Sequence, residues 1–103
     1  MFIAMNRFRV VKGEEAAFET LWRDRDSHLK DVPGFQNFSI LRGDAADDHT
    51  VFISHSTWRS EDDFRAWTRS EAFRLAHQGA GGHQHLYLGP PQFEGFRTVA
   101  DID

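Results

Sequence analysis

Six histidines and no cysteine stand among the 103 residues of this chain. Without Cys there are no disulfides and no thiolate metal sites, so any metal chemistry falls to imidazole. His77 has the most informative neighbours. By position alone it is a helix-end histidine, whose cation the helix dipole favours, and such a residue is structural more often than it is a ligand. Its company changes the reading. Phe73 precedes it by one helical turn, Ala76 beside it is small, and the Gly-rich run Ala80-Gly81-Gly82 follows. An apolar wall, room for close approach and one imidazole are what a planar macrocycle requires, and neutral imidazole is a standard axial ligand of heme iron.

Two further residues belong with His77. Asn6 interrupts the apolar face of an alternating N-terminal segment. A buried amide without a partner costs about 1–3 kcal/mol, so Asn6 either bonds to neighbouring backbone or turns toward a ligand. Trp67 follows Phe64 at helical spacing. Such pairs usually pack a helix on a sheet, yet a buried indole N–H needs a partner, and a bulky ring pressed on a macrocycle can distort it. A rival set is His83 and His85 with His77 or His55. The H-x-H spacing is weak, with no carboxylate at a recognised ligand distance, so a dedicated zinc or non-heme iron site ranks below heme. His28 and His49 read as surface residues. Asp47-Asp48 and Asp62-Asp63 fall at turn and cap positions, where carboxylates serve structure.

The elements that must hold these residues follow from the patterning. Phe2 to Val11 alternates as a strand, and Lys12-Gly13 marks a turn. Phe18, Leu21, Trp22, Arg25 and Leu29 fall at helical spacing, which predicts a helix over Glu14–Lys30, stopped by Val32-Pro33-Gly34. Strands are expected over Phe35–Arg42 and Thr50–Trp58, joined as a hairpin across an acidic turn. Ser60 and Ser70 are N-caps of two short helices, with Gly79 at the end of the second. A flexible stretch runs from Ala80 to His85, Gly89-Pro90-Pro91 is a breaker, and Gln92–Ala100 is the last strand.

The order β-α-β-β-α-β is the ferredoxin-like α+β arrangement, helices on one face of an antiparallel sheet, in a single domain spanning residues 1–103. Phe35 and Phe38 are expected on opposite sides of the second strand, so the face away from the helices is apolar. Covering such a patch calls for a homodimer packed sheet to sheet. Net charge is −4 with no basic stripe, which argues against nucleic acid. The N-terminus is apolar for only a few residues before Arg7, too short for a secretory signal. No run reaches transmembrane length. A cytoplasmic protein with no membrane partner is expected.

Three stretches together resemble a known family. They are Phe2-Ile3-Ala4-Met5-Asn6-Arg7-Phe8, the Val32-Pro33-Gly34-Phe35 turn, and the run from Thr57 through Trp58, Phe64, Trp67, Ser70 and Phe73 to His77. The chain is similar along nearly its whole length to the IsdG-like heme-degrading monooxygenases, within the antibiotic-biosynthesis-monooxygenase superfamily of dimeric α+β barrels. The resemblance implies one heme per subunit, held between the helices and the sheet. It makes His77 the axial ligand of the iron and Asn6 the residue that hydrogen-bonds the ligand on the iron. It makes Trp67 the residue that pushes the porphyrin out of plane, with Phe64 and Phe73 lining the pocket. It further implies ring opening with O2 and electrons from a reductase or small reductant, with release of iron. His83 and His85 lie outside the family pattern. Two other functions compete: a cofactor-free monooxygenase acting on an aromatic polyketide or quinol, and a non-enzymatic heme carrier.

Overall fold

The N-terminal alternation forms β1 (Phe2–Val11) in the computed structural model, which describes residues 1–77 and 80–102. Gly13 turns the chain at φ +96°, a conformation that glycine adopts without steric cost. Helix α1 (Glu15–Asp24) follows, burying Phe18. Strands β2 (Phe35–Ala45) and β3 (His49–Trp58) form the expected hairpin. Helices α2 (Glu61–Thr68) and α3 (Glu71–Ala76) come next, and β4 (Gln92–Arg97) closes the sheet. The four strands lie in the order β2-β3-β1-β4, each neighbouring pair antiparallel. This is the ferredoxin-like α+β fold. Among the described residues no helix is long and apolar enough to cross a membrane.

Several boundaries differ from the sequence reading. Helix α1 ends at Asp24, six residues before Lys30, because Arg25 turns extended (φ −81°, ψ 132°). Beyond it the Asp26 carboxylate accepts from the His28 amide at 2.9 Å, and His28 sits at φ +57°. This local side-chain bond offers the backbone an alternative to another helical turn. Leu29 is still buried, 2 % exposed, but from the loop. The stretch Ala80–His85, expected to be flexible, lies within 3-10 turns over Ala80–Leu86, kinked at His83. Gly79, expected to end α3, lies outside the described residues. The last strand stops at Arg97 instead of Ala100.

The helix-facing side of the sheet carries two aromatic clusters. One gathers Phe2, Ala4, Leu29, Trp58 and Phe64; the other gathers Phe8, Val10, Phe18 and Phe52. Burying such a side chain contributes about 1.5–3 kcal/mol. In the middle of this face the sheet presents the small or polar residues Ala4, Asn6, Ser54 and Ser56, which share one open space although Ala4 belongs to the first cluster and Ser56 accepts from the Trp58 indole.

Phe35 and Phe38 do not lie on opposite sides of β2. A bulge between Phe35 and Asn37 adds a residue to the pleat. Both rings therefore reach the helical side, Phe35 against Trp58 at 5.5 Å and Phe38 against Trp22 at 5.8 Å. The face away from the helices instead carries Ile3, Met5 and Ile53 with Leu41 and Phe96, the last two 44% and 48% exposed.

Thr50 joins α1 to the sheet by donating its hydroxyl to Glu15 at 2.7 Å, and this bond holds the Glu15 carboxyl below the usual carboxylate range. An acid depressed in the folded state adds stability above its unfolded pKa and loses it as pH falls through its folded value. Thr50→Val should therefore be less stable than wild type in urea at pH 7, and part of that gap should close below about pH 4. A gap unchanged between pH 7 and pH 3 would show that Glu15 does not titrate against Thr50.

Candidate active site between the helices and the sheet

The gap between the clusters opens into a cavity of about 850 Å3, within the range of small-molecule and cofactor sites. Its floor is the sheet at Ala4, Asn6, Ser54 and Ser56. One wall comes from α2 and α3, through Phe64, Trp67, Phe73 and His77. The other comes from Trp22, Arg25, Phe38 and Tyr87, with Gly89 to Pro91 and Phe93 at the rim. All five residues singled out in the sequence line this one cavity: Asn6, Phe64, Trp67, Phe73 and His77.

His77 is the C-cap of α3. Its ring stacks on Phe73 with centroids 4.0 Å apart, and its Nδ1 lies 2.8 Å from the Phe73 carbonyl oxygen. A carbonyl only accepts, so Nδ1 carries the proton and the neutral ring keeps its lone pair on Nε2. A ring N–H held by a backbone carbonyl is the usual arrangement of a metal-ligating histidine. Helix α3 is short, and its first turn depends on Ser70, whose hydroxyl oxygen accepts from the Phe73 amide at 3.1 Å.

Trp67 is wedged between Trp58 (5.5 Å, 33°) and Phe73 (4.8 Å, 81°). Its Nε1 is buried and has no hydrogen-bond partner among the described residues. A buried indole donor without a partner is a cost to the folded state. Phe64, 6 % exposed, belongs to the core while also lining the cavity, and it stacks on Phe93 at 5.7 Å. Asn6 is half-buried on the floor, in strand register with Ser54.

The opposite wall was not legible from the sequence. Arg25 leaves the end of α1 and donates to the Ala76 carbonyl through Nε at 2.9 Å and through a terminal nitrogen at 2.5 Å, its guanidinium lying over the Trp22 ring at 4.5 Å. It thereby ties α1 to the turn that carries His77. Burial disfavours its charge, and among the described residues it has no carboxylate partner within salt-bridge distance. Burial pushes the Tyr87 hydroxyl up, while the nearby Trp22 indole N–H and the Arg25 charge act the other way. That indole N–H nonetheless makes no well-formed hydrogen bond. The only sequence signal for this wall was Trp22 and Arg25 sharing one helical stripe.

The rival histidine set is not assembled. His55 sits on the sheet face away from the helices, paired in register with Met5. His83 and His85 lie in the 3-10 turns, and no group of three metal-binding side chains occurs among the described residues. His28 is exposed as expected; His49 is half-buried, its Nδ1 2.6 Å from the Asp48 carboxylate.

Ser70→Ala should lower stability in urea by about 1 kcal/mol through loss of the cap, and Ser70→Asp should restore it. Equal stability of wild type and Ser70→Ala would show that α3 does not depend on this cap.

Comparison with known proteins accords with this geometry. Residues 1–79 match the model of the family described as antibiotic biosynthesis monooxygenase. A heme oxygenase (staphylobilin-producing) of Staphylococcus saprophyticus is 30% identical over 79 residues, covering 77% of this chain and 75% of that protein. The structure of the heme-degrader MhuD of Mycobacterium tuberculosis, with two hemes bound in its active site, is 25% identical over the full length of both chains, with a TM-score of 0.74. SnoaB of Streptomyces nogalater, a cofactor-independent oxygenase, shares the fold at 22% identity over 98% of this chain and 95% of its own, with a TM-score of 0.69. The match over residues 1–79, joined to the sheet order and the cavity above it, makes this chain a member of the antibiotic biosynthesis monooxygenase family.

Proposed function

We propose that this chain is a heme-degrading monooxygenase that binds heme in the cavity through His77 and opens the porphyrin ring, releasing iron. The observation that carries the reading is the His77 ring itself. Its Nδ1 proton is committed to the Phe73 carbonyl at 2.8 Å, which leaves Nε2 as the ligating nitrogen. The residues around it suit the group: an apolar aromatic wall, and a half-buried guanidinium, without a carboxylate partner among the described residues, that would favour acidic substituents at the ligand's edge. The name of the 30% identical relative supports the same substrate.

When bound, heme supplies both the iron at which dioxygen is reduced and the ring that is oxidised. Every other task falls to the protein. His77 holds the metal, and the stacked Phe73 ring fixes the plane of the imidazole. Asn6 offers an amide donor on the sheet floor, able to hold a small polar ligand. Trp67, braced between Trp58 and Phe73, presents a rigid ring to press on the porphyrin. Phe64 and Phe93, stacked at 5.7 Å, give the rim an apolar edge. Electrons come from an external donor, a reductase or small reductant, and the setting we propose is the cytoplasm. We also propose a homodimer closed through the outer sheet face, where Leu41 and Phe96 stand exposed.

The test is a hemin titration followed by ascorbate under air. Wild type should show a shifted Soret band that decays as the ring opens. His77→Ala should weaken hemin binding by more than about tenfold. Asn6→Ala should keep the Soret band yet slow its decay by about tenfold, the scale of one hydrogen bond to a charged group. No Soret shift in wild type would overturn the reading. A band that persists after reduction would make the protein a heme carrier. Oxidation of a quinol without added hemin would favour the cofactor-free chemistry that SnoaB's fold also hosts.

A further inference from the structure

The cavity floor holds one buried polar group that the proposed reaction leaves unused. Ser54 lies directly across the β1–β3 ladder from Asn6 and lines the same cavity. It is 5 % exposed. The other polar residues on this face of β3 have protein partners. Thr50 donates to Glu15, while Ser56 donates to the Ala4 carbonyl and accepts from the Trp58 indole. The side-chain hydrogen bonds on this face among the described residues are those of Thr50, Ser56 and Trp58, and none reaches the Ser54 hydroxyl or the Asn6 amide. The buried side-chain atoms left without a partner among the described residues are the indole nitrogens of Trp22 and Trp67, so the Ser54 hydroxyl opens on the cavity and its hydrogen bonds fall to whatever occupies that space. The hydroxyl at this position therefore points to a ligand.

Side chains directly opposite in an antiparallel ladder have Cβ atoms about 4.5–5.5 Å apart, so one small molecule can touch both. Asn brings two donors and an acceptor, and Ser brings one donor and two acceptor lone pairs. We propose that Ser54 and Asn6 together form a two-point polar contact that binds a single small ligand on the cavity floor, water in the empty protein and a dioxygen-sized ligand in the loaded one. The loaded form rests on the heme-degrading reading; the empty form does not. Ser54 is then a second binding residue beside Asn6, and its polarity, not its small size, is what the site uses.

Ser54→Ala keeps the size and removes the hydroxyl, whereas Ser54→Thr keeps the hydroxyl. High-resolution crystal structures of the hemin-free proteins form one arm of the test. Wild type and Ser54→Thr should hold one ordered water within hydrogen-bond distance of both residue 54 and the Asn6 amide, and Ser54→Ala should lose the shared water. A wild-type floor with no water touching both groups overturns the proposal. Cyanide titration of the ferric hemin-loaded proteins forms the other arm. Ser54→Ala should bind cyanide about fivefold more weakly, the scale of one lost hydrogen bond, and Ser54→Thr should stay within about twofold of wild type. Hemin affinity itself should be the same in all three. Equal cyanide affinity in wild type and Ser54→Ala overturns the proposal. Failure of wild type to bind hemin would sink the heme reading alone, and the crystallographic arm would still decide the role of Ser54.

Discussion

A sheet face that is aromatic at both ends and small in the middle cannot be sealed by short helices. Phe2 and Trp58 anchor one end, Phe8 and Phe52 the other, and each end has its own helix to pack against. Phe18 of α1 closes on Phe52 at 4.5 Å, and Phe64 of α2 closes on Phe2 at 5.3 Å. Ala4, Asn6, Ser54 and Ser56 are too small to fill the space between the two packed ends, so a cavity persists there. Protein interiors are close-packed, and a large void is maintained only when the walls are rigid. Here the rigidity comes from aromatic contacts that continue from the core directly into the lining, as in the run Trp58–Trp67–Phe73–His77.

The second constraint is the placement of a histidine at the end of a six-residue helix. A helix this short has little stability of its own. Three contacts compensate. Ser70 caps its start, the buried Ala76 packs its end, and Arg25 grips the Ala76 carbonyl from across the cavity. The Phe73 carbonyl then serves twice, accepting from the His77 amide at 3.1 Å and from its ring at 2.8 Å. Orientation and tautomer of the imidazole are thus set by the same helical turn that delivers it. On the neighbouring helix the aromatic packing leaves the Trp67 indole N–H buried without a partner among the described residues.

Arg25 shows how a boundary error conceals function. Helical spacing placed it inside a long α1, where it reads as one more residue on an amphipathic stripe. Its extended backbone instead ends the helix and frees the side chain to cross to α3. The bulge in β2 acted in the same way. A strict period of two separates Phe35 from Phe38, and the extra residue brings both rings to the core. Neither event leaves a local mark in composition. Both depend on what the distant partner offers, a free carbonyl at Ala76 in one case and the rings of Trp22 and Trp58 in the other.

Sequence alone determined the order of elements, the helix-facing side of β1, and the caps at Ser60 and Ser70, because these follow from period, side-chain size and local hydrogen bonding. It also singled out Asn6, Phe64, Trp67, Phe73 and His77, since a polar residue on an apolar face and a histidine beside aromatic neighbours are visible in one dimension. Tertiary structure decided the rest. It chose which nitrogen of His77 is free, set Arg25 and Trp22 into the opposite wall, separated His55 from His77 by the thickness of the sheet, and set Ser54 beside Asn6. Those facts depend on strand register and on contacts between residues far apart in the chain. Register is a pairwise property of two segments, so neither strand read alone could place the hydroxyl of Ser54 against the amide of Asn6.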